Sequence, residues 1–132
     1  MSDKKRPPIL VVDDNRDNAE IIRQYLEAKG YPITVAYNGE EALAVFEQVR
    51  PALVLLDVMM PGKDGWETCR IMKQHPSLGR SVRIIMVTAL NEWEDKREAL
   101  QTGADDYIEK PFDLPGLAGT VERNLALIRP GA

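Results

Sequence analysis

Five polar side chains stand at or just behind the ends of short apolar or β-rich runs, and together they could handle phosphate. Asp13 and Asp14 follow Ile9-Leu10-Val11-Val12, and Asp57 follows Leu53-Val54-Leu55-Leu56. Thr88 follows Ile84-Ile85-Met86-Val87, and Lys110, ahead of Pro111, follows Asp106-Tyr107-Ile108-Glu109. Three carboxylates drawn into one cleft repel each other, and unless one is protonated they need a cation. Hard oxygen ligands suit Mg²⁺, which commonly binds one or two carboxylates, several waters and phosphate oxygens. Carboxylates also form acyl phosphates, so Asp57 can serve as a nucleophile. Phosphoryl transfer is mainly positioning plus neutralisation of charge on the equatorial oxygens, which Mg²⁺ and the Lys110 ammonium would supply.

That chemistry requires the residues to converge, and the elements between them decide whether they do. Runs one, three and four are almost continuously apolar, as strands are when both sheet faces are covered. A further run, Ile33-Thr34-Val35-Ala36-Tyr37, ends at Asn38 without a carboxylate, and the last, over 106–109, is the weakest. Amphipathic segments alternate with them. Ala19, Ile22 and Leu26 recur at helix spacing, with Gly30 as a stop. Asn38 is a cap for a second helix that carries Ala42, Phe46 and Val49 on one face, with Pro51 beyond its end. A third helix starts near Asp64 or Gly65 and holds Trp66, Cys69 and Met72. A fourth runs from about Glu92 to Thr102, with Gly103 as its stop. The last starts near Asp113, tolerates Pro115 in its first turn and stripes Leu114, Leu117, Val121, Leu125 and Ile128 along one side.

Strands alternating with helices predict an α/β protein, a doubly wound, flavodoxin-like sheet of five parallel strands in the order 2-1-3-4-5, with five helices. Strands one, three, four and five are then neighbours, and their carboxyl ends share the rim at the switch point between strands one and three. The grouping of Asp13, Asp14, Asp57, Thr88 and Lys110 follows from that topology.

Bulk properties narrow the function classes. The chain has 132 residues, the size of one domain, and a net charge of −4, which leaves no footprint for nucleic acid. Lys4-Lys5-Arg6 reads as a solvated tail. The single cysteine, Cys69, excludes an internal disulfide and fits a reducing compartment. No apolar run approaches the ~20 residues of a membrane helix, and the start lacks an apolar signal segment, so a cytoplasmic protein without membrane contact is expected. Domain bounds are expected at 1–8 for an N-terminal tail, 9–128 for the folded unit and 129–132 for a C-terminal tail.

Together these stretches resemble the receiver domain of two-component response regulators, including its stand-alone chemotaxis type. The resemblance rests on Asp13-Asp14, Leu55-Leu56-Asp57-Val58-Met59-Met60-Pro61-Gly62, Val87-Thr88-Ala89, Gly103-Ala104-Asp105-Asp106-Tyr107 and Lys110-Pro111-Phe112, in order and at matching intervals from about Ile9 to Ile128. It implies that Asp57 is the phosphoacceptor. Asp14 and Asp57 would bind Mg²⁺ directly, Asp13 directly or through water, and the Met59 carbonyl would complete the protein ligands. Lys110 would pair with Asp57 and then with the phosphoryl group, Thr88 would hydrogen-bond it, and Tyr107 would be an aromatic switch that turns inward. The Lys110-Pro111 bond would be cis. The donor would be a phosphohistidine on a sensor histidine kinase or histidine phosphotransfer protein. The face made by the fourth helix, fifth strand and fifth helix would dock an unidentified downstream protein.

Two positions depart from fast-cycling members of that family. Met59 and Leu90 stand where some members carry polar or acidic side chains flanking the path of a hydrolytic water. Apolar side chains would not orient that water, so slow loss of the phosphoryl group is expected.

Blander readings exist for each residue. Asp13-Asp14 could be helix-start acids, Asp57 and Thr88 caps, and Lys110 a solvated lysine. Tyr107 could be an ordinary half-buried strand tyrosine. Asp105-Asp106 reads as a solvated turn, Cys69 as a core or helix-face residue, and His75 as lacking any partner motif for catalysis or metal. Trp66 and Trp93 read as local packing, with Trp93 also able to form a partner surface.

Two other functions compete. A Mg²⁺-dependent aspartyl-phosphate phosphatase would be expected to carry a second acid two residues after its nucleophile, where Met59 stands. A pseudo-receiver that only docks partners would be expected to lack the acids, the acceptor or the lysine. A nucleotide-binding reading lacks both G-x-G-x-x-G and a P-loop after the first strand. Arg129-Pro130-Gly131-Ala132 encodes no output enzyme, so the chain is expected to be a phosphoacceptor that assists its own phosphorylation and dephosphorylation, either alone or as a piece of a larger regulator.

Overall fold

The computed structural model describes residues 6–57, 65–88 and 103–128. Apolar runs become strands that are buried on both faces: β1 (Ile9–Val12), β3 (Leu53–Asp57) and β4 (Arg83–Thr88). The more polar runs form the edges, β2 (Ile33–Ala36) and β5 (Asp106–Glu109). All pairings are parallel and the order is β2-β1-β3-β4-β5, as the alternation predicts.

Register sorts the core into two layers. Ile9 pairs with Leu53 and Val54 with Ile84, so alternate side chains of adjacent strands fall on a common face. On one face Leu10, Val12, Val54, Leu56, Ile84 and Met86 receive Phe46 of α2 (Gly39–Val49) and Cys69 and Met72 of α3 (Gly65–Lys73). On the other, Ile9, Val11, Leu53, Leu55, Ile85 and Val87 receive Ile22 and Leu26 of α1 (Arg16–Ala28) and Leu117 and Val121 of α4 (Leu114–Ala126). Phe46 is 2% exposed, and truncating it to Ala costs about 3–5 kcal/mol.

Local chemistry sets the helix ends. The Asn15 side chain accepts the N–H of Asn18 at 3.0 Å and starts α1 directly after the acid pair. Asn38 accepts the N–H of Glu41 at 2.7 Å, while Glu41 accepts that of Tyr37 at 2.7 Å, which starts α2. Asp113 caps α4. Beyond α1, Gly30 takes φ 96°, a left-handed conformation that suits glycine.

Several expectations need adjustment. Among the described residues there are four helices. The helix predicted over Glu92–Thr102 lies outside the described residues. Ile128, expected on the stripe of the last helix, lies past its end at Ala126.

Asp105 and Asp106 are not a solvated turn. Asp105 Oδ2 accepts the N–H of Ile84 at 2.8 Å and pairs with Lys73 Nζ at 2.8 Å. Asn124, 1% exposed, accepts from Arg83 Nη2 at 2.8 Å and donates through Nδ2 to Asp106 Oδ2 at 2.9 Å. These bonds tie α3, β4, β5 and α4 together near the amino ends of β4 and β5.

Candidate metal centre

At the opposite ends of the strands the predicted site residues do meet. The N–H of Asp13 donates to the Ala36 carbonyl at 3.1 Å, so the residue continues β1 by one step. Its Oδ1 accepts the N–H of Asn15 at 2.9 Å. Asp57 closes β3 opposite Val87, and Thr88 closes β4 opposite Glu109. Asp13, Asp57 and Thr88 are 6%, 4% and 5% exposed, whereas Asp14 faces solvent. Burying three polar groups at one rim is expensive unless they find partners, and among the described residues no buried side-chain nitrogen or oxygen lacks one.

Asp13, Asp14 and Asp57 each offer a carboxylate oxygen, and these lie within 4.8 Å of one another. Oxygen ligands of Mg²⁺ stand about 3–4 Å apart around the ion, given bonds of about 2.1 Å. The cluster fits such an ion in both donor type and spacing. Burial pushes the Asp13 carboxyl up to about 6 from 3.8. The N–H of Asn15 and the Lys110 charge oppose that shift, and the neighbouring Asp57 adds to it. A divalent cation relieves both the burial of the charged carboxylate and its repulsion by Asp57.

Lys110 reaches the cluster from the end of β5. Its N–H donates to the Thr88 carbonyl at 2.8 Å, and its ammonium reaches Asp57 Oδ2 at 3.1 Å. The Lys110-Pro111 peptide is cis, as the resemblance implies. An ammonium at Asp57 beside two more carboxylates suits a group that carries anionic oxygens and shares a cation.

The remaining candidates sort as follows. Tyr107 is 42% exposed on β5, with Met86 as its strand partner, so its side chain stands at the surface. Met59 and Leu90 lie outside the described residues, as does Trp93. Cys69 is fully buried in the α2/α3 layer, as expected, and Trp66 packs against that layer. His75 does have a partner: its Nε2 lies 2.8 Å from Glu47 Oε1, and its Nδ1 accepts the N–H of Leu78 at 3.0 Å. That role fastens α2 to the turn after α3 and is structural.

Sequence reasoning passed over Asn15, whose N–H steadies Asp13 while its side chain caps α1. Its signal was legible, because a cap-type residue directly follows the acid pair.

Comparison with known proteins agrees with this geometry. The family described as "Response regulator receiver domain" matches residues 9–122. Among solved structures, the signal receiver domain of a signal transduction histidine kinase from Syntrophus aciditrophicus is 36% identical, with 96% of each chain covered and a TM-score of 0.88. A two-component response regulator from Clostridium difficile is 31% identical over 92% of this chain and 98% of that one, with a TM-score of 0.84. The chemotaxis protein CheY4 of Vibrio cholerae is 30% identical over 89% and 97%, with a TM-score of 0.83. No described helix is long and apolar enough to cross a membrane. With the strand order, the acid cluster at the switch point and this family match in agreement, the chain belongs to the response regulator receiver domain family of two-component signalling.

Proposed function

We propose that the chain receives a phosphoryl group from a phosphohistidine, carried by a sensor histidine kinase or a histidine phosphotransfer protein, onto Asp57. The observation that carries this reading is the pairing of Lys110 Nζ with Asp57 Oδ2 at 3.1 Å inside a cluster of three carboxylates. Asp13, Asp14, Asp57 and the Met59 carbonyl would hold Mg²⁺, which when bound neutralises charge on the transferred group. A carboxylate oxygen of Asp57 attacks phosphorus and becomes the bridging oxygen of an acyl phosphate, while the phosphorus–nitrogen bond breaks and its electron pair stays on the donor imidazole. Lys110 exchanges its carboxylate partner for a phosphoryl oxygen, and the Thr88 hydroxyl donates to another. As the Thr88 hydroxyl turns to that oxygen, Tyr107 turns inward from its exposed position. This change biases two states of the face around β5 and α4, which docks a downstream protein. The protein acts in the cytoplasm, without direct contact to nucleic acid or membrane.

Incubation with acetyl phosphate and Mg²⁺, followed by intact mass, tests the reading. The native chain gains one phosphoryl group and Asp57→Asn gains none. Equal gain in both proteins rejects Asp57 as the acceptor.

A further inference from the structure

Beside the acid cluster opens a groove of about 590 Å³, lined by Asp13, Asn18, Ile21, Ile22, Lys110, Pro111, Phe112 and Leu114. Its lining is of two kinds. Asp13 and Lys110 are shared with the candidate site, whereas Ile21, Ile22, Phe112 and Leu114 make the remainder apolar. Ile21 is 51% exposed and is the one large apolar side chain that α1 leaves exposed. The volume suits a small molecule.

We propose that this groove receives the organic tail of an acyl phosphate, so that the protein takes phosphoryl groups preferentially from donors with an apolar acyl chain or ring. The inference rests on Asp57 being the acceptor and adds a class of donor to that reading. The phosphoryl end is anionic, and the Lys110 ammonium at the shared wall attracts it. Attack is roughly in line, so the leaving oxygen lies across phosphorus from Asp57, and its substituent extends away from the carboxylate. An apolar tail extending along the groove sheds water against Ile21, Phe112 and Leu114. A sugar or peptide tail would place hydroxyl or amide groups there with Asn18 as the main polar side chain to meet them, at a desolvation cost.

The step balances without further reagents. An Asp57 oxygen forms the new bond to phosphorus, and the bond from phosphorus to the acyl oxygen breaks. The electron pair stays on that oxygen, which leaves as a carboxylate, and no proton has to be supplied.

The full chain, with Mg²⁺, is reacted with acetyl phosphate and with benzoyl phosphate, and the two second-order labelling rates are read by intact mass. The same ratio is measured for Ile21→Ser, whose half-exposed position keeps the fold intact, and for Leu114→Ser. Dividing the native ratio by the variant ratio cancels the intrinsic reactivities of the two donors. The expected result is a native preference for benzoyl phosphate about tenfold above that of either variant. Equal ratios in all three proteins leave the groove to protein side chains and overturn the proposal, while labelling by acetyl phosphate still upholds Asp57 as acceptor. Failure of both donors to label any of the proteins rejects the acceptor reading itself, and the inference falls with it.

Discussion

Lys110 Nζ rests 3.1 Å from Asp57 Oδ2, while the N–H of the same lysine is tied to the Thr88 carbonyl at 2.8 Å. The cation is thereby fixed at both its backbone and its tip against the two strands that flank the pocket. Replacing it by an apolar chain of similar length, Lys110→Met, removes the charge with little change in packing. Phosphorylation by acetyl phosphate is expected to slow on the order of 10²-fold, while calorimetry still detects Mg²⁺ binding. A rate equal to the native one removes Lys110 from the mechanism.

Asp13 predicts a pH dependence whose sign can be worked out. Its carboxyl titrates at about 6 in the folded protein, above its ordinary 3.8, chiefly because it is buried. The folded state therefore holds a proton that the unfolded state has released, and metal-free stability falls as pH rises from about 4 to 6. Asp13→Asn abolishes that slope and raises the melting temperature at pH 7 by roughly 3–5 °C. Mg²⁺ affinity of the native chain weakens below pH 6, where the proton competes with the ion. Calorimetric scans at a series of pH values, with and without Mg²⁺, read all three effects. A flat metal-free profile between pH 4 and 6 contradicts the assignment.

Asn124 supplies a stability test remote from the pocket. Its amide joins Arg83 to Asp106 at distances of 2.8 and 2.9 Å. Asn124→Leu keeps the volume but strips one partner from each charge, leaving Arg83 with Asp105 and Asp106 with Arg123, and is expected to cost about 2–4 kcal/mol in urea unfolding. A loss under about 0.5 kcal/mol, the size of an ordinary surface change, shows that water replaces the amide without penalty.

Loss of the phosphoryl group is expected to be slow, because the apolar side chains of Met59 and Leu90 would not orient an attacking water. Met59→Asn shortens the lifetime of phosphorylated Asp57, as followed by intact mass after the donor is removed. Native decay within seconds, or decay no slower than that of the variant, counts against the idea.

The fold was readable where burial leaves a one-dimensional mark. Ile9–Val12, Leu53–Leu56 and Ile84–Val87 are apolar at every position because helices cover both sheet faces. Asn38 and Gly30 marked helix ends through backbone rules that act over a few residues. The candidate site was readable for a topological reason: parallel strands carry their last residues to one rim. What stayed hidden depends on partners far away in sequence. The Lys73 partner of Asp105 is 32 residues away and the Arg83 partner of Asn124 is 41. The Glu47 partner of His75 is 28 residues away. Periodicity carries no information about such pairs, so two structural aspartates looked like a wet turn. The apolar groove likewise gathers Ile21 and Leu114 from α1 and α4, which only the folded chain brings together.

The division of each strand between two apolar layers has a consequence for Asp57, the proposed acceptor. Leu53 and Leu55 belong to one layer and Val54 and Leu56 to the other. Sliding β3 by a single residue would exchange every one of these side chains between layers and carry Asp57 off its mark by one strand step, about 3.3 Å. The depth of Asp57 is thus gauged by hydrocarbon, not by its polar neighbours. Residues around the rim can therefore change, tuning donor or lifetime, while the acceptor stays in alignment.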